Sequence, residues 1–234
     1  MIDATTTYLP RQDAPRQEAL RQDALRQYGP GIFGWGRFQP RWSFDFNGHA
    51  LVCDGADSGH VLVVDPPALL PSEFDALRAL GSRFTVLLLN ADHERDSAAV
   101  AAALGAPVLA PSADMALLRQ TVVQAVDAGS PLPGGFELIA LSDQKTPGEL
   151  ALYHAARRVL VLGDAIVGDP IRGLRFVPAM KISDHDGARR AVTSLLELDF
   201  DVLLLSDGFC LPQGGKAALA AALPAIQPFK PPPV

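Results

Sequence analysis

The chain of 234 residues is 48% hydrophobic and 20% charged, with 20 Gly, 20 Pro, 5 His, 2 Cys and a formal charge of -6. Chains of this size class hide roughly 75% of their unfolded surface, so one domain with a real core is expected, and the apolar share excludes a disordered, collagen-like or membrane-embedded chain. The acidic balance argues against nucleic acid, which draws on a basic stripe, and Cys53 and Cys210 lack the spacing of a disulfide framework or zinc ribbon. A reducing cytoplasm is the expected compartment. Met1 to Pro10 carry Asp3 and lack the apolar run of a signal peptide. The longest uncharged stretch, Ser97 to Ala113, is broken by Gly105, Pro107 and Pro111 and falls short of the about 20 apolar residues that span a bilayer, so no membrane partner is expected.

Residues 11 to 27 repeat with a period of five, placing Arg11, Arg16, Arg21 and Arg26 in step. A step of five turns about 140° around a helix, so no stripe forms, and a polar N-terminal arm is expected over 1–30. A single domain should fill 31–228, and a proline-rich tail 229–234. The arm could serve a homodimer.

Ala50 to Asp54 and His60 to Val64 read as a hairpin that ends in Asp65. Ser72 reads as the N-cap of a helix with Leu77 and Leu80 on one face. Thr85 to Leu89 reads as a buried strand, followed by the polar cluster Asn90 to Asp96 and an Ala-rich helix closed by Gly105. The order then recurs. Leu150 to Tyr153 and Val159 to Leu162 form a hairpin ending in Gly163-Asp164, Asp184 to Leu198 a helix, and Val202 to Leu205 a strand closed by Ser206-Asp207-Gly208. Strands this continuously apolar are covered on both faces, which implies two sheets back to back with helices outside. Asp65, Asn90, Asp164 and Asp207 then lie at strand C-termini, the usual edge for a site in α/β proteins.

Asp65 after its strand, Thr146-Pro147-Gly148 ahead of a strand, and Leu162-Gly163-Asp164-Ala165 after the next resemble the metallo-β-lactamase superfamily, over about Phe33 to Leu223. The resemblance implies a four-layer αββα sandwich and a metal-dependent hydrolase. In that superfamily the polar cluster reads His-x-His-x-Asp-His and supplies ligands for one or two metals; here Asn90, Asp92, Glu94 and Arg95 stand at those positions. Lys145 stands for the histidine before Thr146-Pro147-Gly148 and Asp207 for the last ligand histidine, while Asp164 keeps the bridging carboxylate. The resemblance thus implies a pocket of Asp65, Asn90, His93, Glu94 and Asp207 around Asp92, Arg95, Lys145 and Asp164.

Zinc prefers His and Cys, and a protonated Lys or Arg cannot ligate. Arg95 and Lys145 are expected to face Asp92, Glu94, Asp164 and Asp207 and to replace the metal, because buried charges must be paired. No cofactor is therefore expected. The open alternative is a divalent metal (Mg, Mn, Fe or Zn) on Asp92, Asp164 and Asp207 with waters.

Two functions follow from this pocket. One is a hydrolase of a small ester or thioester-like substrate, with Lys145 and Arg95 polarising an oxygen and Asp92 or Asp164 as general base. The other is a non-catalytic protein that uses the same cations to bind a small anionic ligand or a partner. His93, at a spacer position, is expected to point away from the pocket into a local hydrogen bond, with a proton-shuttling histidine as the alternative. His49, His60 and His154 read as half-exposed strand residues and His185 as a surface residue beside the N-cap Asp184. Cys210 lacks a nearby base in sequence, and Gly214-Gly215-Lys216 reads as a helix start rather than a phosphate loop. Phe33, Trp35, Phe38, Trp42, Phe44 and Phe46 should pack over a sheet, with a few free to line the pocket.

Overall fold

A computed structural model describes residues 25–119 and 123–224. Its first sheet holds seven strands in chain order: β1 (Arg26–Gly29), β2 (Ile32–Gln39), β3 (Phe44–Val52), β4 (His60–Val64), β5 (Arg83–Leu87), β6 (Val108–Pro111) and β7 (Gln124–Val126). Neighbours from β1 to β4 are antiparallel, and those from β4 to β7 parallel. The second sheet contains β8 (Glu137–Ala140), β9 (Leu150–His154), β10 (Val159–Leu162) and β13 (Val202–Leu205), in the order β13-β10-β9-β8, with only β13 and β10 parallel. A separate hairpin joins β11 (Val167–Asp169) to β12 (Gly173–Arg175).

The alternation of side chains along β4 builds the layers. Leu62 and Val64 face inward and pack with Leu152, Val161 and Leu204 of the second sheet. Val61 and Val63 face outward with Leu77 of α1 (Pro71–Ala79) and Val100 of α2 (Ser97–Leu104). On the far side, Leu160, Leu162, Leu203 and Leu205 pack with Val192 of α3 (His185–Ser194) and Leu219 of α4 (Gly215–Ala222). The result is the expected αββα sandwich. Each fully buried aliphatic side chain is worth about 1.5–3 kcal/mol, so these three clusters carry the fold and leave the strand ends free for polar chemistry. No helix among the described residues is long and apolar enough to cross a membrane.

Several boundaries differ from the sequence reading. Of the arm expected over 1–30, Arg26–Gly29 form β1 on the edge of β2; residues before 25 and the tail from 225 lie outside the described residues. α1 starts at Pro71, so Leu70 and not Ser72 is the N-cap. Proline is pre-organised for a first helical turn, and Glu73 accepts the Leu70 N–H at 2.7 Å, the carboxylate half of a capping box. The first hairpin's leading strand begins at Phe44, and β5 stops at Leu87, although Leu88 and Leu89 stay buried. Asp184 caps α3 as expected through the N–H groups of Asp186 and Gly187, and the helix tightens into a 3-10 turn at Leu195–Glu197. Gly105 closes α2 at φ 63.

Candidate functional site

The parallel pairs β4/β5 and β10/β13 end at one edge of the sandwich, and the segments that leave them meet there. From the first sheet come Asp65 and the turn from Asn90 to Arg95. From the second come Asp164 and Ser206-Asp207, joined by Lys145 from the segment before β9.

Asp65 is fully buried at positive φ, one oxygen accepting Leu89 N–H at 2.8 Å and the other His93 Nδ1 at 2.7 Å and Ser206 Oγ at 2.6 Å. Burial works against its charge, yet His93, Arg95 and Ser206 hold the carboxyl below its ordinary value. His93 is therefore an internal residue whose ring points into the site, contrary to the expectation for a spacer position. Asn90 fixes the turn by accepting His93 N–H at 3.1 Å, and the ring reaches Asp164 with Nε2 3.6 Å from Oδ1, an ionic contact too long for a hydrogen bond. Burial and the Arg95 charge push the imidazole down, but Asp65 and Asp164 outweigh both and raise it to about 10.

Lys145 bridges two carboxylates, its Nζ 2.8 Å from Asp164 and 2.5 Å from Asp92. Asp164 is 2% exposed and Asp92 50%, so the ammonium, at 21%, links the interior to solvent. Burial disfavours the Lys145 charge, but the two carboxylates push its pKa up, while His93 and Lys145 hold Asp164 well below its usual range despite burial. Arg95 donates from Nη1 to the carbonyls of Asn47 (3.1 Å) and Ser206 (3.2 Å), pairs through Nη2 with Asp207, and stacks 4.4 Å from the centre of the Phe46 ring.

Two expectations are corrected. Glu94 does not face these cations; it turns away to Arg119, whose Nε donates at 2.9 Å and whose backbone N–H donates at 3.0 Å. The third cation facing the carboxylates is His93 instead. His49 is fully buried, not half-exposed; burial lowers it to about 4, and the neutral ring's Nε2–H donates to the Leu205 carbonyl at 3.2 Å. His60, His154 and His185 are half-buried at the periphery. Among the aromatics Trp35 and Phe44 are buried, whereas Phe38 and Trp42 are exposed. Phe38, Phe44 and Phe209 line a groove of about 170 Å³ with Arg26 and Asp45, and Gly208 in its wall adjoins Asp207.

Two functional positions escaped the sequence reading. Glu149 is buried beside Asp164, which with burial raises its pKa well above the ordinary value. It accepts Asn90 Nδ2 at 2.7 Å and Ala165 N–H at 3.2 Å. Its place directly after Thr146-Pro147-Gly148 was the available signal. Asp114, fully buried, accepts the N–H groups of Ala91 and Gly148, both at 2.7 Å, and so ties the two site segments together; nothing in the sequence around it announces this.

Gly163 gives this cluster its room. A Cβ there would lie 2.6 Å from Glu149 Oε1 and 2.9 Å from Asn90 Nδ2. Gly163→Ala is expected to cost about 2 kcal/mol through overpacking, or about 4–8 °C in Tm for a chain of this size, and a thermal melt unchanged within a degree would refute it.

His93, Asp164 and Asp207 each present one donor atom, all within 4.8 Å of one another, and could together hold a cation. The class is an αββα sandwich of two sheets between helices, with carboxylates and cations converging at one sheet edge. A sequence profile described as the metallo-β-lactamase superfamily matches residues 25–224, and the chain belongs to that superfamily. No curated relative matches it. Among solved structures it is similar to the DIM-1 metallo-β-lactamase at 12% identity, covering 85% of this chain and 97% of that one with TM-score 0.63. It is similar to VMB-1 at 11% identity, covering 86% and 96% with TM-score 0.66. A metallo-β-lactamase from Hirschia baltica is 12% identical, with 85% and 96% covered and TM-score 0.60. At such identities the likeness is one of fold.

Proposed function

We propose that this chain is a hydrolase-like member of the superfamily whose site works without zinc, its positive charge supplied by Lys145, Arg95 and His93. The observation that carries this reading is the place of Lys145, whose Nζ lies between the Asp164 and Asp92 carboxylates. A two-zinc centre does not fit these residues. Asn90, Asp92, Arg95, Lys145 and Asp207 fill imidazole positions, and two fixed cations already hold Asp164 and Asp207. Two unit charges about 4 Å apart repel by about 4 kcal/mol at an effective dielectric of 20, and a dication beside Lys145 would meet about twice that.

The chemistry then falls to Lys145 and Asp92 at the open end. A small ester or thioester would place its carbonyl oxygen against the remaining Lys145 N–H. Water adds to the carbonyl carbon and gives its proton to Asp92, Lys145 faces the oxyanion, and the leaving oxygen or sulfur takes that proton back as the intermediate collapses. Asp164 keeps Lys145 charged and aimed. Such a protein suits the cytoplasm, where Cys53 and Cys210 stay free thiols.

The test is hydrolysis of a small aryl ester and a thioester by chelator-treated protein. Turnover should persist, and Asp92→Asn should lower it by about 100-fold or more, the usual worth of a general base. Turnover that the chelator abolishes, or stoichiometric zinc in the purified protein, would overturn the reading. A bound anion with no turnover would assign the chain to the binding proteins instead.

A further inference from the structure

We infer that the domain carries a latent single-metal site formed by His93, Asp164 and Asp207, from which Lys145 excludes the ion. The inference rests on the zinc-free reading of the resting protein and adds to it the identity of a ligand set and of the residue that blocks it.

Three independent features converge on the site. His93 Nε2 is buried with no hydrogen-bond partner, and the residue is only 2% exposed. That nitrogen lies 3.6 Å from Asp164 Oδ1, and one donor atom from each of His93, Asp164 and Asp207 falls within 4.8 Å of the others. The opposite ring nitrogen is held by Asp65 at 2.7 Å, and Asp65 is itself fixed by Leu89 N–H. A carboxylate on one imidazole nitrogen with the other nitrogen aimed at further donors is the arrangement that orients histidine ligands for a metal. One nitrogen and two carboxylate oxygens suit zinc, manganese or iron.

Asp164 and Asp207 stand at ligand positions of the family pattern, but His93 occupies a spacer position of the polar cluster, so the nitrogen donor and the ammonium that blocks the set belong to the present chain. What stands in the way is charge. Lys145 donates to Asp164 Oδ2 at 2.8 Å, and Arg95 takes only Oδ1 of Asp207. Removing the ammonium frees Asp164 and lifts one of the two fixed cations at the site. Asp207 keeps its second oxygen, and ligation displaces any proton on His93 Nε2.

The experiment dialyses the full chain against zinc chloride at pH 8, removes excess metal, and measures bound zinc by elemental analysis together with the thermal shift on zinc addition. The proteins are wild type, Lys145→Arg, Lys145→Met and Lys145→Met with His93→Ala. Lys145→Met should retain about one zinc and melt higher with it, as a site bound only in the folded state requires. Wild type, Lys145→Arg and the double variant should retain none. If Lys145→Met does not fold, Lys145→Gln carries the same comparison with a neutral group of similar reach. A folded neutral variant that retains no zinc overturns this inference and leaves the zinc-free reading standing. One zinc in wild type overturns the zinc-free reading and, with it, the exclusion by Lys145. Zinc in the neutral variant that survives His93→Ala overturns the ligand assignment alone.

Discussion

Arg95→Ala is expected to cost about 4 kcal/mol of stability, the loss typical of removing one partner from a buried, hydrogen-bonded charge. The guanidinium divides its donors among partners from both sheets: the Asn47 carbonyl in β3, the Ser206 carbonyl after β13, and the Asp207 carboxylate. A third carbonyl, of Asp65, lies 3.4 Å from Nη1. Truncation leaves the Asp207 carboxylate without its cation, takes a donor from the Asn47 and Ser206 carbonyls, of which Ser206 keeps the Asn47 N–H at 2.8 Å, and strips the cation from the face of Phe46. Arg95 also adopts φ 38, so the backbone is strained there for any L side chain and is held in place by what the guanidinium grips. Lysine keeps the charge but not the fork, and Arg95→Lys should recover less than half the loss. Denaturant unfolding of the three proteins decides: full rescue by lysine would mean that charge alone matters and the multiple carbonyl contacts do not.

Asp65→Asn is expected to cost about 3–4 kcal/mol at pH 7, and less as the pH rises. The buried His93 imidazolium loses one of its two counter-charges in this variant, while the amide oxygen still accepts a hydrogen bond from the ring or from Ser206. The sign follows from the titration of His93. Its folded value is raised to about 10 from 6.5, so its contribution is complete below about pH 6.5 and is lost as the pH climbs through 10. Wild-type stability should therefore decline between pH 7 and 10 more steeply than that of Asp65→Asn, and the two curves should converge. Parallel curves across pH 7, 8 and 9 would show that His93 is not held as an imidazolium by Asp65.

The layers of this domain were legible because their cause is local. Val61 to Val64 and Val202 to Leu205 are apolar at every position, and only a strand covered on both faces tolerates that. The short elements β6, β7, β8, β11 and β12 escaped detection, since three or four residues hold too little pattern to set a period, and proline or glycine interrupts β6, β11 and β12 as well. At the site, the resemblance located Asp65, Arg95, Lys145, Asp164 and Asp207, all of which the fold brings to one edge. Orientation was another matter. Whether residue 93 or residue 94 faces inward depends on a single 3-10 turn, Ala91–His93, capped by Asn90, and a shift of one residue in that turn exchanges His93 for Glu94. Glu149 and Asp114 went unseen because their partners are backbone N–H groups and an amide far along the chain, contacts that leave no spacing to read.

Asp114 also limits how the site can open. Its two oxygens hold the Asn90 turn and the Thr146-Pro147-Gly148 segment on one carboxylate, so neither segment can lift without abandoning a buried charge. The floor of the pocket is thereby a single rigid body stitched across 34 positions of sequence, from Asp114 to Gly148. Opening the site at Asn90 or at Gly148 therefore carries the same cost, an unsatisfied Asp114 carboxylate oxygen in the interior.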